Sequence, residues 1–290
     1  MIFSALSSAA PARLCGGPLQ AAALRQLPRS SLAVNHSKNQ ATLAANTSGR
    51  CFSSAAPAGI YEYRHYQLYP SGVNPYIAMA TESSDLRKSL VPLRLFSLPE
   101  TGGDLNIASH LYYYEGGMEE RDAKRKVSGG SDRWKKFVAD SRVHVHAQKS
   151  LIYTEAPSSV LQAGDSKGGA WDGSAVTSSP DVVYEIRKYQ LGLGYDAVPL
   201  FLDVFSEGVQ YKVKCQDPET QLATVMYSEV GRLNEVIEIW RHGNGVAGMA
   251  KSREMAREAP QWRDAIKDMA TKAEKFDNVI VKPVSFSTWK

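Results

Sequence analysis

The chain has 290 residues, of which 43% are hydrophobic and 22% charged, and its formal net charge is +4. This length predicts about two domains. The positive charge is concentrated at the N-terminus: residues 1–61 contain five basic residues and no Asp or Glu, so residues 62–290 carry 29 basic and 30 acidic residues. A region with that balance does not predict a face that binds nucleic acid.

Residues 1–52 have the composition of an organellar transit peptide. They are rich in Arg and Ser, lack acidic residues and include the amphipathic stretch LQAAALRQL. The string RCFSSA, which starts at Arg50, is typical of a matrix-peptidase site, so we place cleavage after Phe52. We predict a mitochondrial address, with the matrix favoured. A plastid address stays open, because both kinds of transit peptide share this composition.

The cysteine content argues against a metal site and a disulfide. Cleavage after Phe52 leaves Cys215 as the single cysteine, which cannot form an intramolecular disulfide or a thiolate zinc site. No apolar run approaches the ~18–20 residues that span a bilayer. We therefore predict no metal, no cofactor and no transmembrane segment.

Two nearly identical octapeptides indicate an internal duplication. YEYRHYQL runs from Tyr61 to Leu68, and YEIRKYQL runs from Tyr184 to Leu191, with six of the eight positions identical. The alternation of apolar and charged residues in both predicts a β-strand. Solenoid repeats recur every ~20–50 residues, far closer than these two copies, so we predict a duplicated domain of ~100 residues.

The first half, residues 60–156, reads as βαββαβ. We predict strand 1 at Tyr61–Leu68, a helix over Asn74–Lys88, middle strands in VPLRLFSL and LNIASHLYYY, a second helix marked by Trp134 and Phe137, and a last strand in QKSLIYTEA. Residues 157–181 are rich in Gly and Ser, which predicts a flexible linker between the halves.

The second half, residues 182–287, repeats this order. After the strand at 182–191, apolar residues at helical spacing predict a helix: Val198, Phe201, Leu202, Phe205 and Val209. TQLATVMYSEVG and LNEVIEIW then read as two strands around a Gly231-Arg232 turn, followed by a helical region broken by Pro260 and a final strand in NVIVKPVSF.

This order predicts an α+β protein of two tandem ferredoxin-like βαββαβ domains. Each domain is a four-stranded sheet with both helices on one face, so its other face needs cover. Two such sheets packed face to face provide that cover. Whether the sheets meet within one chain or across a homodimer stays open.

The stretch GRLNEVIEIW, with YEIRKYQL upstream and APQWRDAI downstream, resembles the NIPSNAP family. The resemblance is strong over residues 182–286 and weaker over 61–155. It implies a dimeric α/β-barrel fold, a mitochondrial address, and a link to organelle quality control and vesicle-related interactions, without an established reaction. Distant relatives of this barrel superfamily include cofactor-sparing monooxygenases and haem-degrading enzymes. Family strands often carry His where this chain has Glu238; the first half has His110 there.

The strand LNEVIEIW predicts the candidate site. Asn234, Glu238 and Trp240 share one face of that strand. In the strand order that the resemblance implies, Arg187 lies beside Glu238 in the barrel. A guanidinium, a carboxylate, an amide and an aromatic ring suit a pocket for a small polar or carboxylate ligand. The alternative is an internal salt bridge in which Arg187 neutralises Glu238.

The first half predicts a cavity of different charge at the corresponding place, with Arg64, Asn106 and His110 as its candidates. We therefore predict a NIPSNAP-type protein that acts by binding proteins or a small molecule, as a scaffold or a sensor, with a homodimer as one arrangement. The alternative is a barrel-cavity enzyme, monooxygenase- or isomerase-like, acting on a small hydrophobic acid or a quinone-like substrate. A structural subunit of a mitochondrial complex is a third alternative.

Overall fold

A computed structural model of the chain describes residues 59–173 and 179–290. The predicted transit peptide, residues 1–52, and its cleavage site lie outside the described residues. Within the described ranges, every helix is too short or too polar to cross a membrane.

The first half of the barrel domain alternates strands with pairs of helices. Its elements are β1 (Ile60–Leu68), α1 (Val73–Glu82), α2 (Ser84–Leu90), β2 (Leu93–Thr101), β3 (Ile107–Tyr114), α3 (Gly117–Gly130), α4 (Asp132–Ser141) and β4 (Val145–Glu155). The helix predicted over Asn74–Lys88 is present but is divided at Ser83. The second helical region is divided into α3 and α4. Ser131 is the N-cap of α4, and its hydroxyl accepts the Trp134 N–H at 3.3 Å.

The second half follows the same plan. Its elements are β5 (Val183–Leu191), α6 (Ala197–Lys212), β6 (Thr220–Val230), β7 (Glu235–His242), α7 (Gly245–Arg257), α8 (Pro260–Lys272) and β8 (Ala273–Pro283). Pro260 is the first residue of α8, a position where its missing N–H removes no helical hydrogen bond. The sequence therefore placed the break between α7 and α8 correctly.

The eight strands form one closed barrel in the order β1-β3-β2-β8-β5-β7-β6-β4. All neighbouring strands are antiparallel, and the two halves join where β2 pairs with β8 and β4 pairs with β6. The sheets of the two halves therefore meet within a single chain, which answers the question that the sequence left open. Closure also removes the exposed strand edges that each half alone would present.

Side chains alternate between the interior of the barrel and an outer face covered by helices. Tyr61 and Tyr184 point inward, as do Ile186, Ile237 and Ile239, and they pack in one interior core. The outward-facing residues form further cores with the helices: one large core in each half, and a small cluster of Val183, Met249 and Ile280 in the second. The barrel therefore has a packed interior apart from a cavity of about 110 Å³ at one end, and every strand is buried on both faces for part of its length.

The segment predicted as a flexible linker is folded over residues 157–173. It forms helix α5 (Ser158–Ala163) and a 3-10 turn, and then places Trp171 in the interior core, 5.3 Å from the ring of Trp289. A Cβ at Gly169 would lie 2.1 Å from the Tyr113 ring, so glycine allows a contact that no other residue fits. The Gly-rich composition therefore reflects close packing at one end of the barrel.

Candidate functional site

The predicted site residues of the second half lie on the outer face of the barrel, beneath the helices. Ile186 on β5 and Ile237 on β7 fill the barrel interior, so Arg187 and Glu238 point the other way. Trp240, on the same face as Glu238, packs in the core that includes α6 and α8. The predicted neighbourhood is confirmed, since Arg187 and Glu238 are cross-strand partners. The predicted placement inside the barrel is wrong, because apolar side chains occupy that space.

Arg187 and Glu238 do not form the salt bridge that the sequence suggested as an alternative. Arg187 Nε donates to Glu185 Oε1 at 2.8 Å. Glu238 Oε2 instead accepts the indole N–H of Trp240 at 2.7 Å. Glu185, two residues before Arg187 on β5, is therefore the carboxylate that neutralises it.

The two predicted asparagines lie in turns, away from the other candidates. Asn234 has a φ of 56°, and its Nδ2 donates to the carbonyl of Gly192 at 2.8 Å, which ties the β6–β7 turn to the loop after β5. Asn106 precedes β3, and its carbonyl accepts the Leu68 N–H at 2.7 Å. These contacts give both asparagines a role in holding turns.

A buried carboxylate that the sequence analysis missed organises the outer face of the first half. Glu62 is fully buried and accepts hydrogen bonds from Ser150 Oγ at 2.8 Å and from Arg125 Nη1 at 3.0 Å. Arg64 Nη1 lies 3.6 Å from Glu62 Oε1. Burial opposes ionisation, but the Ser150 hydroxyl and the Arg125 guanidinium outweigh it, so the pKa of Glu62 lies below its ordinary value.

The second half repeats this network around Glu185. Glu185 Oε1 accepts from Arg187, from Asn278 at 3.0 Å and from Arg253, and His242 Nε2 lies 3.3 Å from its other oxygen. The equivalent residues of the two networks are Glu62 and Glu185, Arg64 and Arg187, Arg125 and Arg253, and Ser150 and Asn278. A network repeated in both halves joins the sheet to its helices in each. Its signal in the sequence was the Glu shared by the two octapeptides.

The two halves differ in what lies beside this network. In the first half, a cavity of about 480 Å³ opens between the outer face of the barrel and helices α2 to α4. Its cationic lining residues are Arg64, Arg87, Arg125, Lys135 and Arg142, and its aromatic ones are Tyr66, Tyr112, Tyr114, Trp134 and Phe137. No Asp or Glu is among the lining residues. A cationic, partly apolar wall of this kind attracts organic anions.

Arg87 is the most deeply buried cation of this cavity, with 2% of its surface exposed. Its Nη1 donates to the hydroxyl of Tyr112 at 2.7 Å, whereas Nε and Nη2 have no hydrogen-bond partner. The guanidinium carbon lies 5.0 to 5.3 Å from the ring centroids of Phe96, Trp134 and Phe137. Burial disfavours the charged form, but the neighbouring tyrosines, Tyr112 foremost, outweigh it and raise the pKa of Arg87.

His110, the predicted candidate of β3, lies one layer behind the cavity wall. The imidazole is fully buried, with its nitrogens 3.4 Å from the hydroxyls of Tyr76 and Tyr112. Burial, with Arg87 and Arg64 nearby, holds the pKa of His110 well below its ordinary value, so the ring is neutral. Among the described residues, no group of three or more His, Cys, Asp or Glu side chains is placed to hold a metal ion.

In the second half a lysine contacts the residue that corresponds to Tyr112, as Arg87 contacts Tyr112 in the first. Lys212 Nζ lies 2.8 Å from the ring centroid of Trp240, the residue equivalent to Tyr112. Burial and the Arg187 charge hold the pKa of Lys212 well below its ordinary value, and Glu238 opposes them. Of the three residues predicted for a first-half cavity, Arg64 lines the cavity observed there, whereas Asn106 and His110 do not.

Comparison with known proteins places the chain in a family. The family model named NIPSNAP matches residues 61–160 and 184–288, which together make up more than half of the chain. The chain belongs to the NIPSNAP family. The two matched ranges coincide with the two halves of the barrel and leave most of the segment between them unmatched.

Curated relatives match this NIPSNAP protein over most of their own length. Protein NipSnap homolog 3A of Homo sapiens is 24% identical over 230 residues, which cover 79% of this chain and 85% of the relative. Protein NipSnap homolog 3B of Mus musculus is 25% identical over 231 residues, with the same coverage of both chains.

Two bacterial proteins of known structure share the barrel. A "putative monooxygenase" of Fusobacterium nucleatum superposes with a TM-score of 0.58 at 10% identity, covering 80% of this NIPSNAP chain and 94% of the other. A "putative monooxygenase" of Lactobacillus acidophilus gives 0.52 at 12% identity, covering 78% and 93%. At these identities the likeness establishes the fold.

Proposed function

We propose that this NIPSNAP protein binds a small organic anion in the first-half cavity and acts by binding, as a sensor or scaffold. Arg87 carries the proposal. It lines the cavity, is buried, and has two nitrogens without a hydrogen-bond partner. No carboxylate of the described residues pairs with it. Buried charges in proteins normally have a partner, and a ligand carboxylate supplies one here.

The walls of the cavity support a ligand with an apolar body. A volume of about 480 Å³ lies within the usual range for small-molecule sites. Trp134 and Phe137 line it beside Arg87, so a flat or branched hydrocarbon body has apolar surface to cover. A guanidinium recognises a carboxylate through paired N–H donors. The proposed ligand class is therefore a hydrophobic monocarboxylate.

The test measures binding of a hydrophobic carboxylate to the full chain. The probe is 2-naphthoate, titrated by fluorescence against the unsubstituted protein, Arg87→Met and Arg133→Met. Arg133 is exposed on α4 and is not among the cavity-lining residues, so its variant controls for loss of one positive charge. Arg87→Met should weaken binding about tenfold or more, because a hydrogen bond to a charged group contributes ~1.5–3 kcal/mol. Equal affinity in all three proteins would exclude Arg87 as the recognition residue.

A second candidate function is catalysis at the same cavity. The Tyr112 hydroxyl lies between Arg87 and the neutral His110, at 2.7 and 3.4 Å, so three polar groups are joined in one hydrogen-bonded chain beside the cavity. The two bacterial neighbours described as putative monooxygenases have the same fold. The test is oxygen uptake with a naphthoquinol. Uptake that Tyr112→Phe abolishes favours the enzyme, and no uptake above the buffer rate favours the binder.

The cellular setting is part of the same proposal. The acid-free residues 1–52 support a mitochondrial address, with protein partners in organelle quality control as the expected context. Import of the full chain into isolated mitochondria, followed by N-terminal sequencing, tests the address. A mature protein that begins after Phe52 supports it, and an uncleaved, protease-sensitive chain opposes it. Native mass spectrometry of the same material reports whether the chain is monomeric or a homodimer.

We also infer that each half derives from a ferredoxin-like unit. The strand orders β4-β1-β3-β2 and β8-β5-β7-β6 are equivalent and support this origin. A chain truncated to residues 182–290 that forms a symmetric dimer agrees with the inference. A truncated chain that stays unfolded at all concentrations opposes it.

A further inference from the structure

The two octapeptides that reveal the duplication differ at only two positions, and both face one small cavity. Tyr63 in the first copy corresponds to Ile186 in the second, and His65 corresponds to Lys188. All four side chains line a cavity of about 110 Å³ inside the barrel. Within the octapeptides, both positions that differ therefore lie in the walls of this cavity.

The cavity lies at the end of the barrel opposite the folded segment that contains Trp171. His65 and Lys188 stand near the C-terminal ends of β1 and β5, while Trp171 contacts the core near the start of those strands. Apart from its polar groups, the lining is mostly apolar: Ile107, Ile186, Val279, Val281 and Pro99. The volume suits a few waters or an organic molecule of a few non-hydrogen atoms.

Two polar groups of the cavity, His65 and Lys188, are incompletely satisfied by their neighbours. His65 Nδ1 lies 3.1 Å from Ser109 Oγ, whereas Nε2 is buried and has no hydrogen-bond partner. Lys188 forms no ion pair within 4 Å of a carboxylate of the described residues; its Nζ lies 5.3 Å from the Tyr63 ring centroid, and Glu235 and Asp277 act on its charge from farther away. The one acidic lining residue, Asp104, is exposed at the rim.

The surrounding charges keep the imidazole neutral. Burial, with Lys188 and Lys149 nearby, lowers the pKa of His65 to about 3. When the Ser109 hydroxyl donates to Nδ1, the neutral ring carries its proton on Nε2 and can donate it into the cavity. An ammonium and an imidazole N–H then face the same space.

We propose that this end of the barrel is a second binding site, which takes a small monocarboxylate of acetate to propionate size. The carboxylate accepts from Lys188 Nζ and His65 Nε2, and the alkyl group packs on Ile186 and Val281. The apolar lining of the cavity favours a short carboxylate over inorganic phosphate. Phosphate oxygens that do not contact Lys188 or His65 would lose their hydrating water and find no hydrogen-bond donor in the cavity. This site lies on the opposite face of the sheet from the first-half cavity, so it does not depend on the proposed function.

The test uses ¹³C-labelled acetate and propionate with the full chain, followed by NMR line broadening. Lys188→Met and His65→Leu should each weaken binding about tenfold or more. His65→Gln should restore most of the affinity, because the amide keeps a donor at that position. Lys275→Met is the matched control, since it removes one exposed lysine that is not in the cavity lining.

Two outcomes would overturn the proposal. One is the absence of saturable acetate or propionate binding to the unsubstituted chain. The other is equal binding of phosphate and propionate, which would show attraction by charge without a shaped site. Should Lys188→Met fail to fold, Ile186→Phe fills the cavity from its apolar side and must block propionate. An Arg87→Met protein must still bind acetate, which separates this site from the first-half cavity.

Discussion

Arg87 Nη1 donates a 2.7 Å hydrogen bond to the hydroxyl of Tyr112, and the equivalent contact in the second half is Lys212 over the ring of Trp240. The phenol satisfies only part of the Arg87 fork, whereas the Lys212 ammonium faces an indole that offers no hydrogen-bond acceptor. In the first half, Arg87 therefore lies beside an open cavity. In the second half, the corresponding contact packs Lys212 on the ring of Trp240.

Filling the first-half cavity should block the proposed ligand without disturbing the fold. A Cβ at Gly129, which lines the cavity, or at Gly130, which does not, meets nothing within 4 Å. Gly129→Leu should therefore abolish 2-naphthoate binding, while Gly130→Leu, its matched control, should bind as the unsubstituted chain does. Fluorescence titration measures both. Equal affinities for the two variants would place the ligand elsewhere.

Removing the buried carboxylate of Glu185 in the second half should lower the free energy of unfolding. Glu185→Gln leaves Arg187 and Arg253 without their anion, and breaking such a buried pair costs ~3–5 kcal/mol of unfolding free energy. Glu100→Gln, which removes a partly exposed carboxylate 3.2 Å from Lys282, should cost ~0–1 kcal/mol. Urea unfolding of both variants gives the comparison. A loss below ~1 kcal/mol for Glu185→Gln would contradict a stabilising network.

The buried neutral His110 should make the fold sensitive to mild acid. In the unfolded chain a histidine titrates near pH ~6.5, but burial keeps folded His110 neutral well below that. The unfolded state therefore binds the extra proton, so this contribution to stability is complete above pH ~6.5 and declines as the pH falls towards ~5. His110→Gln should reduce the slope of unfolding free energy against pH by up to ~1.4 kcal/mol per unit.

The control for this slope is His146→Gln, because His146 is exposed at the start of β4. Unfolding free energies measured by urea at several pH values compare the two variants. The same slope in His110→Gln and the unsubstituted chain would mean that His110 binds protons equally in the folded and the unfolded state.

The segment between the halves should be part of the cooperative unit. Trp171 is buried against Trp289, whose Nε1 donates to the Trp171 carbonyl at 2.9 Å. Trp171→Ala should cost ~3–5 kcal/mol, whereas Tyr195→Ala, at a fully exposed aromatic residue, should change stability by under ~0.5 kcal/mol. Thermal unfolding checks both. Equally small changes in stability for both variants would mean that this segment links the halves without stabilising the fold.

Much of the fold could be predicted because its signals are local. The alternation in YEIRKYQL and LNEVIEIW predicted β5 and β7, and the duplication fixed their equivalents in the first half. The register also followed: Arg187 and Glu238 are cross-strand partners. Each of these features depends on a few neighbouring residues and on the period of the strand.

The direction of the side chains could not be predicted in the same way. Alternation defines two faces but does not say which one the helices cover. Arg187 was expected to line a cavity in the barrel, yet Arg187 and Glu185 are buried beneath α7 in a network of their own. Closure of the barrel decided the outcome, because Tyr184 and Ile186 fill an interior that exists only when both halves join.

Arg87 carried no signal that distinguished it from its neighbours. It lies in SDLRKSL, where Lys88 is the adjacent basic residue, and only the packing of α2 on Phe96 and Trp134 selects which of the two turns inward. The cavity depends on that choice, so the sequence grouped Arg64 and His110 on one face of the sheet but missed Arg87, the residue that organises the cavity on that face.

Recognition of a carboxylate by Arg87 is tested by removing the charge from each partner in turn. Affinities are measured for 2-naphthoate and its neutral analogue 2-naphthalenemethanol, each with the unsubstituted chain and with Arg87→Met. We predict that the unsubstituted chain prefers the acid about tenfold or more and that Arg87→Met loses this preference while still binding the alcohol. A preference for the acid that survives in Arg87→Met would mean that another residue recognises the carboxylate.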